Sequence, residues 1–277
     1  MIDELLQPFA YEFFRNGVIV ATLAGALCGG VGVYIVVRGM SYLTHGLSHA
    51  IFGGFAASAL LGVSFLLGAG VWGIASALAI NSVSRRRPIG ADAAIGVVTT
   101  ASFALGLILF ALFGRSGRSF DAALFGSVLG VSTGSVIAIL VVSVLVLGVV
   151  IFGYRPLLFT TFDPEVAAAS GLRTSHIEAL LMVVFAVSIL VSMQVLGVTL
   201  IAAALVIPPT TARLLTHSFS KMLIISTAIG AACGFIGMNL SYHLDVQSGP
   251  GIVIVAALAF LIVYAVKRPS GMQRAIA

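Results

Sequence analysis

The stretch that decides the fold is GVYIVVRGMSYLTHGLSHAIFGG, residues 32–54. It contains two apolar runs separated by one charged residue, Arg38, and the second run carries the histidines His45 and His49. Each run continues beyond the stretch as an apolar segment of about 20 residues, which is the length that a helix needs to cross a bilayer. Because lipid offers no partners to backbone polar groups, such segments are expected to be helices.

The composition of the whole chain is that of a membrane protein. Of 277 residues, 60% are hydrophobic and only 8% are charged, and the mean hydropathy is +1.18. Soluble domains carry about 25% charged residues. We therefore expect an all-α, polytopic helical membrane protein in which residues 1–277 form a single transmembrane domain. The formal charge of +5 lies in short loops, where it indicates topology and gives no reason to expect nucleic-acid binding.

A window of about 20 residues predicts nine transmembrane helices. The Gly-broken, amphipathic stretch 120–132 leaves open a short re-entrant or interfacial helix. Pro208 and Pro209 predict a kink or a break in the seventh helix. Cys28 and Cys233 fall in apolar segments and are expected to be small core residues, not a disulfide. The nine helices are roughly 14–37, 40–62, 64–84, 91–113, 133–153, 175–194, 197–215, 221–242 and 251–267.

The basic residues predict the orientation. If the N-terminus is outside and the C-terminus inside, eleven Lys and Arg residues face the cytoplasm and three do not, which is the positive-inside bias expected of the cytoplasmic membrane. The acidic start of the chain does not predict a signal peptide. The cytoplasmic set is Arg38, Arg85, Arg86, Arg87, Arg155, Arg173, Arg213, Lys221, Lys267, Arg268 and Arg274, and the outer set is Arg15, Arg115 and Arg118.

His45 and His49 are the candidate metal ligands. Their i, i+4 spacing places both imidazoles on one helix face. At 1.5 Å per residue, they lie about 10 Å and about 16 Å from Arg38 along the helix, so His49 is near the middle of a hydrocarbon core of about 30 Å. Ionisable side chains at that depth usually mark a substrate path, and an imidazole pair suits a divalent metal. The alternative to metal binding is that either histidine is a packing residue or is solvated.

The longest cytoplasmic connection, about residues 154–174, contains signals for a short helix. Asp163 is typical of an N-cap, Pro164 of the first helical position and Glu165 of the first turn, while Gly171 is typical of a helix end. Such a helix on the membrane surface suits docking to a soluble partner, although a solvated connector is the alternative. The chain has no GxxxxGK[ST] phosphate loop, so we expect any ATPase to be a separate chain.

Four polar residues fall near the outer ends of the later helices. Gln194 and Asn239 are expected either to hydrogen-bond between helices or to line an entrance to the transport path. His243 and Asp245, in the outer loop SYHLDVQSGPG, are expected either to receive a metal from outside or to be ordinary surface residues.

Six strings, in this order, resemble the zinc/manganese permease family of ABC importers over about residues 15–267. The resemblance implies a homodimeric permease in the cell membrane, similar in architecture to the vitamin B12 importer. It also implies partner ATPase subunits in the cytoplasm and an extracytoplasmic metal-binding protein. The permease itself would be no enzyme and would hold no permanent cofactor. The strings are 32–54 as quoted above, ADAAIGVVTTASFALG (91–106), ALFGSVLGVS (123–132), DPEVAAASGL (163–172), VLGVTLIAAALVIPPTTARLL (195–215) and GMNLSYHLDVQSGPGIVIV (237–255).

The resemblance also implies roles for individual residues. The segment 163–172 is similar to the coupling helix that docks on the ATPase, and His49 matches the pathway histidine in the family's SHA string. Many members carry an acid one turn earlier, in strings like GDALSHA, where this chain has His45. Since a carboxylate–imidazole pair suits Mn²⁺ and two imidazoles favour Zn²⁺, we expect transported Zn²⁺ first, Mn²⁺ second and Fe²⁺ third.

Two other classes of transporter stay open at this point. A stand-alone secondary transporter coupled to protons or sodium is disfavoured by the lack of intramembrane Asp or Glu. A permease for vitamin B12 or a haem-siderophore would need a wide pore and gives no reason for two stacked histidines.

Overall fold

The computed structural model describes residues 7–84, 91–113, 124–127 and 131–267. In this part of the chain all regular structure is helical, which confirms the all-α prediction. After a 3₁₀ turn at Gln7–Ala10, the helices with both ends described are α1 (Glu12–Val37), α2 (Ser41–Leu61), α3 (Phe65–Ser84), α4 (Ala91–Phe113), α5 (Thr133–Phe152), α6 (Tyr154–Phe162), α7 (Pro164–Ala169), α8 (Thr174–Leu196), α9 (Ile201–Leu215), α10 (Phe219–His243) and α11 (Ser248–Val266).

Each of the nine predicted apolar segments coincides with one of these helices. Among the described residues, seven helices are long and apolar enough to cross a membrane, namely α1, α3, α4, α5, α8, α10 and α11. The helix α2 carries both histidines and is not among them, and α9 is apolar but has only 15 residues. The structure thus confirms a polytopic helical membrane protein, while nine spans and the N-out orientation stay predictions.

Three helices differ most from the prediction. The helix α9 begins at Ile201, four residues later than the predicted start at 197, and Gly197 ahead of it has φ +76°. The last helix begins at Ser248, three residues earlier than predicted, because Pro250 in the first turn needs no hydrogen-bond partner for a backbone N–H. The segment before the short cytoplasmic helix is itself a helix, α6, which the sequence did not predict. Leu157 and Thr160 of α6, three residues apart, are both buried. Packing on this face therefore stabilises a nine-residue helix whose length alone would be marginal.

The helices α1 and α8 form the centre of the bundle. In each of them 72% of the most apolar window is buried, against 11% in α5. The helix α1 packs against α10, α9, α8 and α5. Since α5 is apolar and mostly exposed, it is expected to face lipid. Cys28 and Cys233 are buried free thiols, as predicted.

Glycines bring α1 and α10 into close contact. Gly25 and Gly29 of α1 are four residues apart, as are Gly230 and Gly234 of α10. A Cβ atom at Gly25 would overlap the carbonyl oxygen of Gly230, and one at Gly230 would overlap that of Gly25. The Ser226 hydroxyl also donates to the carbonyl oxygen of Gly29. Small residues at this spacing allow membrane helices to pack backbone to backbone.

The helix α9 is not broken at Pro208 and Pro209, both of which lie inside it. Because Pro209 has no N–H, the carbonyl oxygen of Leu205 lacks its usual helical donor. Gly32 of α1 packs directly against that carbonyl. The predicted break is therefore wrong, and the predicted kink stays a prediction.

Several basic residues of the predicted cytoplasmic set lie together at one end of the bundle. The Arg38 Nε atom donates to the Thr161 hydroxyl of α6 at 3.2 Å. Thr161 in turn lines a small cavity with Arg213 and His217 at the end of α9. Arg38 and Arg213 of the predicted cytoplasmic set thus both lie near Thr161, while the orientation itself stays a prediction. The predicted positions Arg85, Arg86, Arg87, Arg115, Arg118, Arg268 and Arg274 lie outside the described residues.

Candidate metal-transport site

The structure brings His45 and His49 together on one face of α2. Their ring centroids are 4.6 Å apart, and the ring planes meet at 78° in an edge-to-face arrangement. The backbone between them is regular helix. The Ser48 hydroxyl donates to the carbonyl oxygen of His45 at 2.8 Å, so its hydrogen bond is made within α2. Gly46 lets α4 pack closely against α2 beside the pair, since a Cβ there would meet Ile95 at 2.6 Å.

The two histidines differ in their surroundings. His45 is exposed, whereas His49 is half-buried. The ring of Phe103 on α4 lies edge to face against His49, with centroids 4.6 Å apart and planes at 75°. Phe52, one turn along α2, packs against the same Phe103 at 5.3 Å. The His49 Nδ1 atom is buried and has no hydrogen-bond partner among the described residues, so this nitrogen is not used in packing between the described helices.

The pair alone is an incomplete metal site. Among the described residues there is no group of three or more His, Cys, Asp or Glu side chains that could hold a metal ion. Structural zinc takes four ligands, so the pair supplies half of them. His45 is exposed on the chain surface within a predicted membrane segment, where a polar side chain is costly unless protein or water covers it.

The predicted short helix of the cytoplasmic connection is present as α7. The Asp163 Oδ1 atom accepts from the backbone N–H of Val166 at 3.0 Å, which is an N-cap, and Pro164 is the first helical residue. At the other end, Gly171 has φ +84° and its N–H donates to Ala168. Glu165 is exposed in the first turn. The predicted helix signals are confirmed, and α7 presents an acidic, capped face away from the bundle.

Ring contacts and hydrogen bonds attach α6 to the transmembrane helices. Phe219 at the start of α10 packs against Phe162 of α6 at 5.8 Å and against Tyr34 of α1 at 5.2 Å. The hydroxyls of Tyr154 and Ser220 are 2.6 Å apart. Because α7 follows α6 after a single residue, these contacts also connect α7 to α1 and α10.

The four candidate entrance residues lie at the opposite end and do not join the histidine pair in a metal cluster. Asn239 is half-buried and donates from Nδ2 to its own helix, at the Phe235 carbonyl, 2.8 Å away. His243 is the last residue of α10, not a loop residue, and is exposed like Asp245, whose φ is +53°. Gln194 is half-buried. These positions are compatible with an outer vestibule.

A non-helical junction surrounds Gln194. Its carbonyl oxygen accepts from the Ser127 N–H at 3.2 Å, and the Thr199 hydroxyl donates to the Leu124 carbonyl at 2.8 Å. The Ser248 hydroxyl donates to the Val195 carbonyl at 2.7 Å. Of the stretch 120–132, residues 124–127 thus pack against the turn between α8 and α9, while 120–123 and 128–130 lie outside the described residues.

Sequence reasoning missed two residues near these sites. Phe103 looked like any apolar residue of the fourth helix, and only its contact with His49 distinguishes it. Arg38 served as a topology signal, yet its Nη2 atom is buried. Neither feature has a local sequence signal, because each depends on a partner far away in the chain.

A bundle of apolar helices that carries a histidine pair on α2 and a short capped helix, α7, at one end is typical of a membrane transport subunit. Comparison with known proteins identifies which one: the family model "ABC 3 transport family" matches residues 10–267. The chain belongs to this family, and it is a polytopic permease subunit of an ABC importer in the cell membrane. The resemblance drawn from the sequence strings is thereby confirmed.

Relatives support the same conclusion over nearly the full chain. The "Manganese transport system membrane protein MntC" of Listeria monocytogenes is 35% identical over 95% of this chain and 92% of its own length. The "Probable iron transport system membrane protein" of Haemophilus influenzae is 34% identical over 96% and 97%. The solved structure "PsaBC from Streptococcus pneumoniae in complex with Fab" matches with a TM-score of 0.87 and 33% identity, covering 95% of each chain.

Proposed function

We propose that this permease carries a divalent transition metal into the cytoplasm by alternating access, with Zn²⁺ as the first candidate. Family membership supports an importer, and the two relatives named for manganese and iron support a transition metal. The observation that carries the proposal is the histidine pair, whose rings are 4.6 Å apart and whose inner nitrogen, Nδ1 of His49, has no hydrogen-bond partner among the described residues.

His45 and His49 act as a waypoint for the ion, with no bond chemistry. The residue His49 is the ninth of α2 and lies about 12 Å from its start along the axis. An ion path needs ligands that bind and then release. In a single chain the two imidazoles leave two of the four zinc positions open, so the remaining ligands come from elsewhere and the ion can leave when they withdraw.

A second copy of the chain completes the site. The exposed imidazole of His45 needs a protein or water neighbour at membrane depth. A homodimer that faces α2 towards α2 provides it and brings four imidazoles to one place, which matches the four-ligand preference of zinc. Symmetric pairing of identical chains is the commonest form of assembly.

Zinc ranks before manganese because of the ligands. Imidazole suits Zn²⁺, whereas Mn²⁺ prefers carboxylate, carbonyl and water oxygens. Neither histidine has an Asp or Glu near enough to make a three-residue metal cluster among the described residues. The manganese relative keeps Mn²⁺ as the second candidate, and the iron relative keeps Fe²⁺ as the third.

The permease works with two kinds of partner. A cytoplasmic ATPase docks on α7, where Asp163, Pro164 and Glu165 start the helix and Gly171 ends it. An extracytoplasmic metal-binding protein docks at the opposite end, near the loop that follows α10. ATP hydrolysis belongs to the partner, and the family assignment sets aside a stand-alone secondary transporter.

At the outer end, the ion enters past four polar side chains. His243 and Asp245 are exposed beside the short turn between α10 and α11 and receive the ion first. Gln194 and Asn239 are half-buried and follow them. No resident cofactor takes part, and the only metal is the transported ion.

The test is metal uptake into liposomes that contain the permease with its ATPase and binding protein. His49→Ala is expected to abolish Zn²⁺ uptake while metal-independent ATPase activity persists. The matched control is His176→Ala, because His176 is an exposed histidine of α8 at the cytoplasmic end. Normal uptake by His49→Ala would overturn the proposal for the pair and would direct the search to Gln194, Asn239 and the outer turn.

A further inference from the structure

Arg38 lies at the corner between the helix that forms the core and the helix that carries the histidines. It follows the last residue of α1, and its backbone N–H donates to the Tyr34 carbonyl at 3.1 Å. The next two residues are also tied back to α1, since Gly39 donates to Val36 at 3.1 Å and Met40 to Ile35 at 2.9 Å. The corner is therefore stiff, and α2 starts directly after it.

The side chain of Arg38 reaches the coupling segment, defined as α6 and α7. Its Nε atom donates to the Thr161 hydroxyl at 3.2 Å, across 123 residues of sequence. That hydroxyl is itself fixed on α6, because it donates to the Leu157 carbonyl at 2.7 Å. Thr161 is two residues before Asp163, which caps α7. One hydrogen bond thus joins the corner before α2 to the end of the helix that leads into α7.

The guanidinium is partly buried and lies near one carboxylate. Burial lowers the pKa of Arg38 from its ordinary value, and the negative charge of Glu178 on α8 acts in the opposite direction. An arginine side chain stays charged in proteins, so the carboxylate of Glu178 attracts it towards α8. Arg38 therefore interacts with α6 of the coupling segment and with two helices outside it, α1 and α8.

Three buried polar atoms at this end lack hydrogen-bond partners among the described residues. They are Nη2 of Arg38, the hydroxyl of Tyr34 and the hydroxyl of Thr160, which precedes Thr161 on α6. Each buried polar atom left unpaired costs about 1–3 kcal/mol. A shifted arrangement of α6 that paired some of them would recover part of this cost, which favours a second packing at this end of the bundle.

We propose that Arg38 is the positioning residue through which movement of the coupling segment is transmitted to the histidine pair. The proposal rests on the proposed function, since it assumes that α7 docks on an ATPase and that the pair lies on the ion path. Movement of α7 shifts α6, and the Thr161–Arg38 hydrogen bond carries the shift to the start of α2. His45 is four residues beyond that start, about 6 Å along the axis.

The test compares transport with ATP hydrolysis in the same liposomes, using the permease with its ATPase and binding protein and ⁶⁵Zn²⁺ as the probe. Arg38→Gln is expected to keep assembly and ATPase activity but to lower the metal transported per ATP about tenfold, which is the scale of a lost hydrogen bond to a charged group. Arg38→Lys keeps the charge but not the guanidinium fork, so it should restore part of the ratio. Arg155→Gln is the control, because Arg155 is an exposed arginine of α6.

A second variant separates transmission from a merely structural role. Thr161→Val removes the hydrogen-bond acceptor with little change in volume and should also lower the transported metal per ATP about tenfold, because it breaks the same hydrogen bond to a charged group. The double variant should be no worse than Arg38→Gln alone, because both remove the same link. An unchanged ratio in assembled Arg38→Gln, or in Thr161→Val if Arg38→Gln does not assemble, would overturn the inference. Failure of the wild-type chain to transport metal would instead overturn the proposed function.

Discussion

Phe103 on α4 touches His49 on α2 edge to face, with ring centroids 4.6 Å apart and planes at 75°. The other partner of the His49 ring is His45, also edge to face at 4.6 Å. The imidazole that lies deepest on the proposed path is therefore oriented by ring contacts alone, since its Nδ1 atom has no hydrogen-bond partner among the described residues. In many metal sites a hydrogen bond to a carboxylate or carbonyl sets this orientation.

Replacing Phe103 with Leu should weaken metal binding without removing a ligand. An aromatic pair contributes about 0.5–1.5 kcal/mol beyond buried area, which corresponds to roughly 2- to 10-fold in affinity. Phe103→Tyr keeps the ring and should keep most of the affinity. The measurement is calorimetric titration of the purified permease with Zn²⁺. The control is Phe260→Leu, which removes a ring that stacks on Tyr264 in α11, and an equal loss there would contradict the assigned role.

The sequence predicted those features that depend on local chemistry. Apolar runs of bilayer length predicted nine helices, and a helix was found at each. Asp163 and Gly171 predicted the two ends of α7, because capping involves only neighbouring residues. The i, i+4 spacing predicted that His45 and His49 share a face, and their rings are in contact. In each case the deciding interaction lies within a few residues.

The features that the sequence did not predict depend on partners that are distant in the chain. The helix α6 has too few residues for its composition to show a helical period. It is stabilised instead by burial of Leu157 against the bundle. The contact of Phe103 with His49 requires that α4 packs on α2. The link between Arg38 and Thr161 spans 123 residues. A single sequence contains no information on such pairings beyond the general tendency of apolar faces to meet.

Replacing His45 with Asp should shift the preference from Zn²⁺ towards Mn²⁺. A carboxylate in place of one imidazole per protomer supplies the oxygen ligand that Mn²⁺ prefers. The ratio of Mn²⁺ to Zn²⁺ uptake should rise roughly tenfold, which corresponds to about 1.4 kcal/mol in relative binding free energy. Competition uptake with both ions in the same liposomes measures it. His176→Asp, at an exposed position at the cytoplasmic end of α8, is the control. An unchanged ratio in His45→Asp would mean that His45 does not select the ion.

Replacing Gly25 with Ala should destabilise the bundle. The added Cβ would overlap the carbonyl oxygen of Gly230, so α1 and α10 would have to separate, at a cost of at least about 1–3 kcal/mol. Gly148→Ala on α5 is the matched control, since a Cβ there has nothing within 4 Å. Samples are heated in detergent, and the remaining monodisperse protein is measured by size-exclusion chromatography. Gly25→Ala should lose its monodisperse fraction at a lower temperature than the wild-type chain, whereas Gly148→Ala should not. Equal midpoints for both variants would show that the close packing of α1 and α10 is not required.

Replacing Asp163 with Ala should impair docking of the ATPase more than folding of the permease. The carboxylate accepts the Val166 N–H at 3.0 Å, and loss of such a cap costs about 1 kcal/mol. The helix α7 has only six residues, so this loss is a large part of its stability, while the apolar bundle does not depend on it. A loss of about 1 kcal/mol corresponds to about fivefold, so affinity for the ATPase should fall about fivefold. The midpoint of thermal unfolding of the permease should stay unchanged. Asp163→Asn, which also caps helices well, should restore binding, whereas Ser170→Ala at the other end of α7 should have little effect. If Asp163→Asn bound as weakly as Asp163→Ala, the carboxylate would be contacting the ATPase directly and the capping explanation would be wrong.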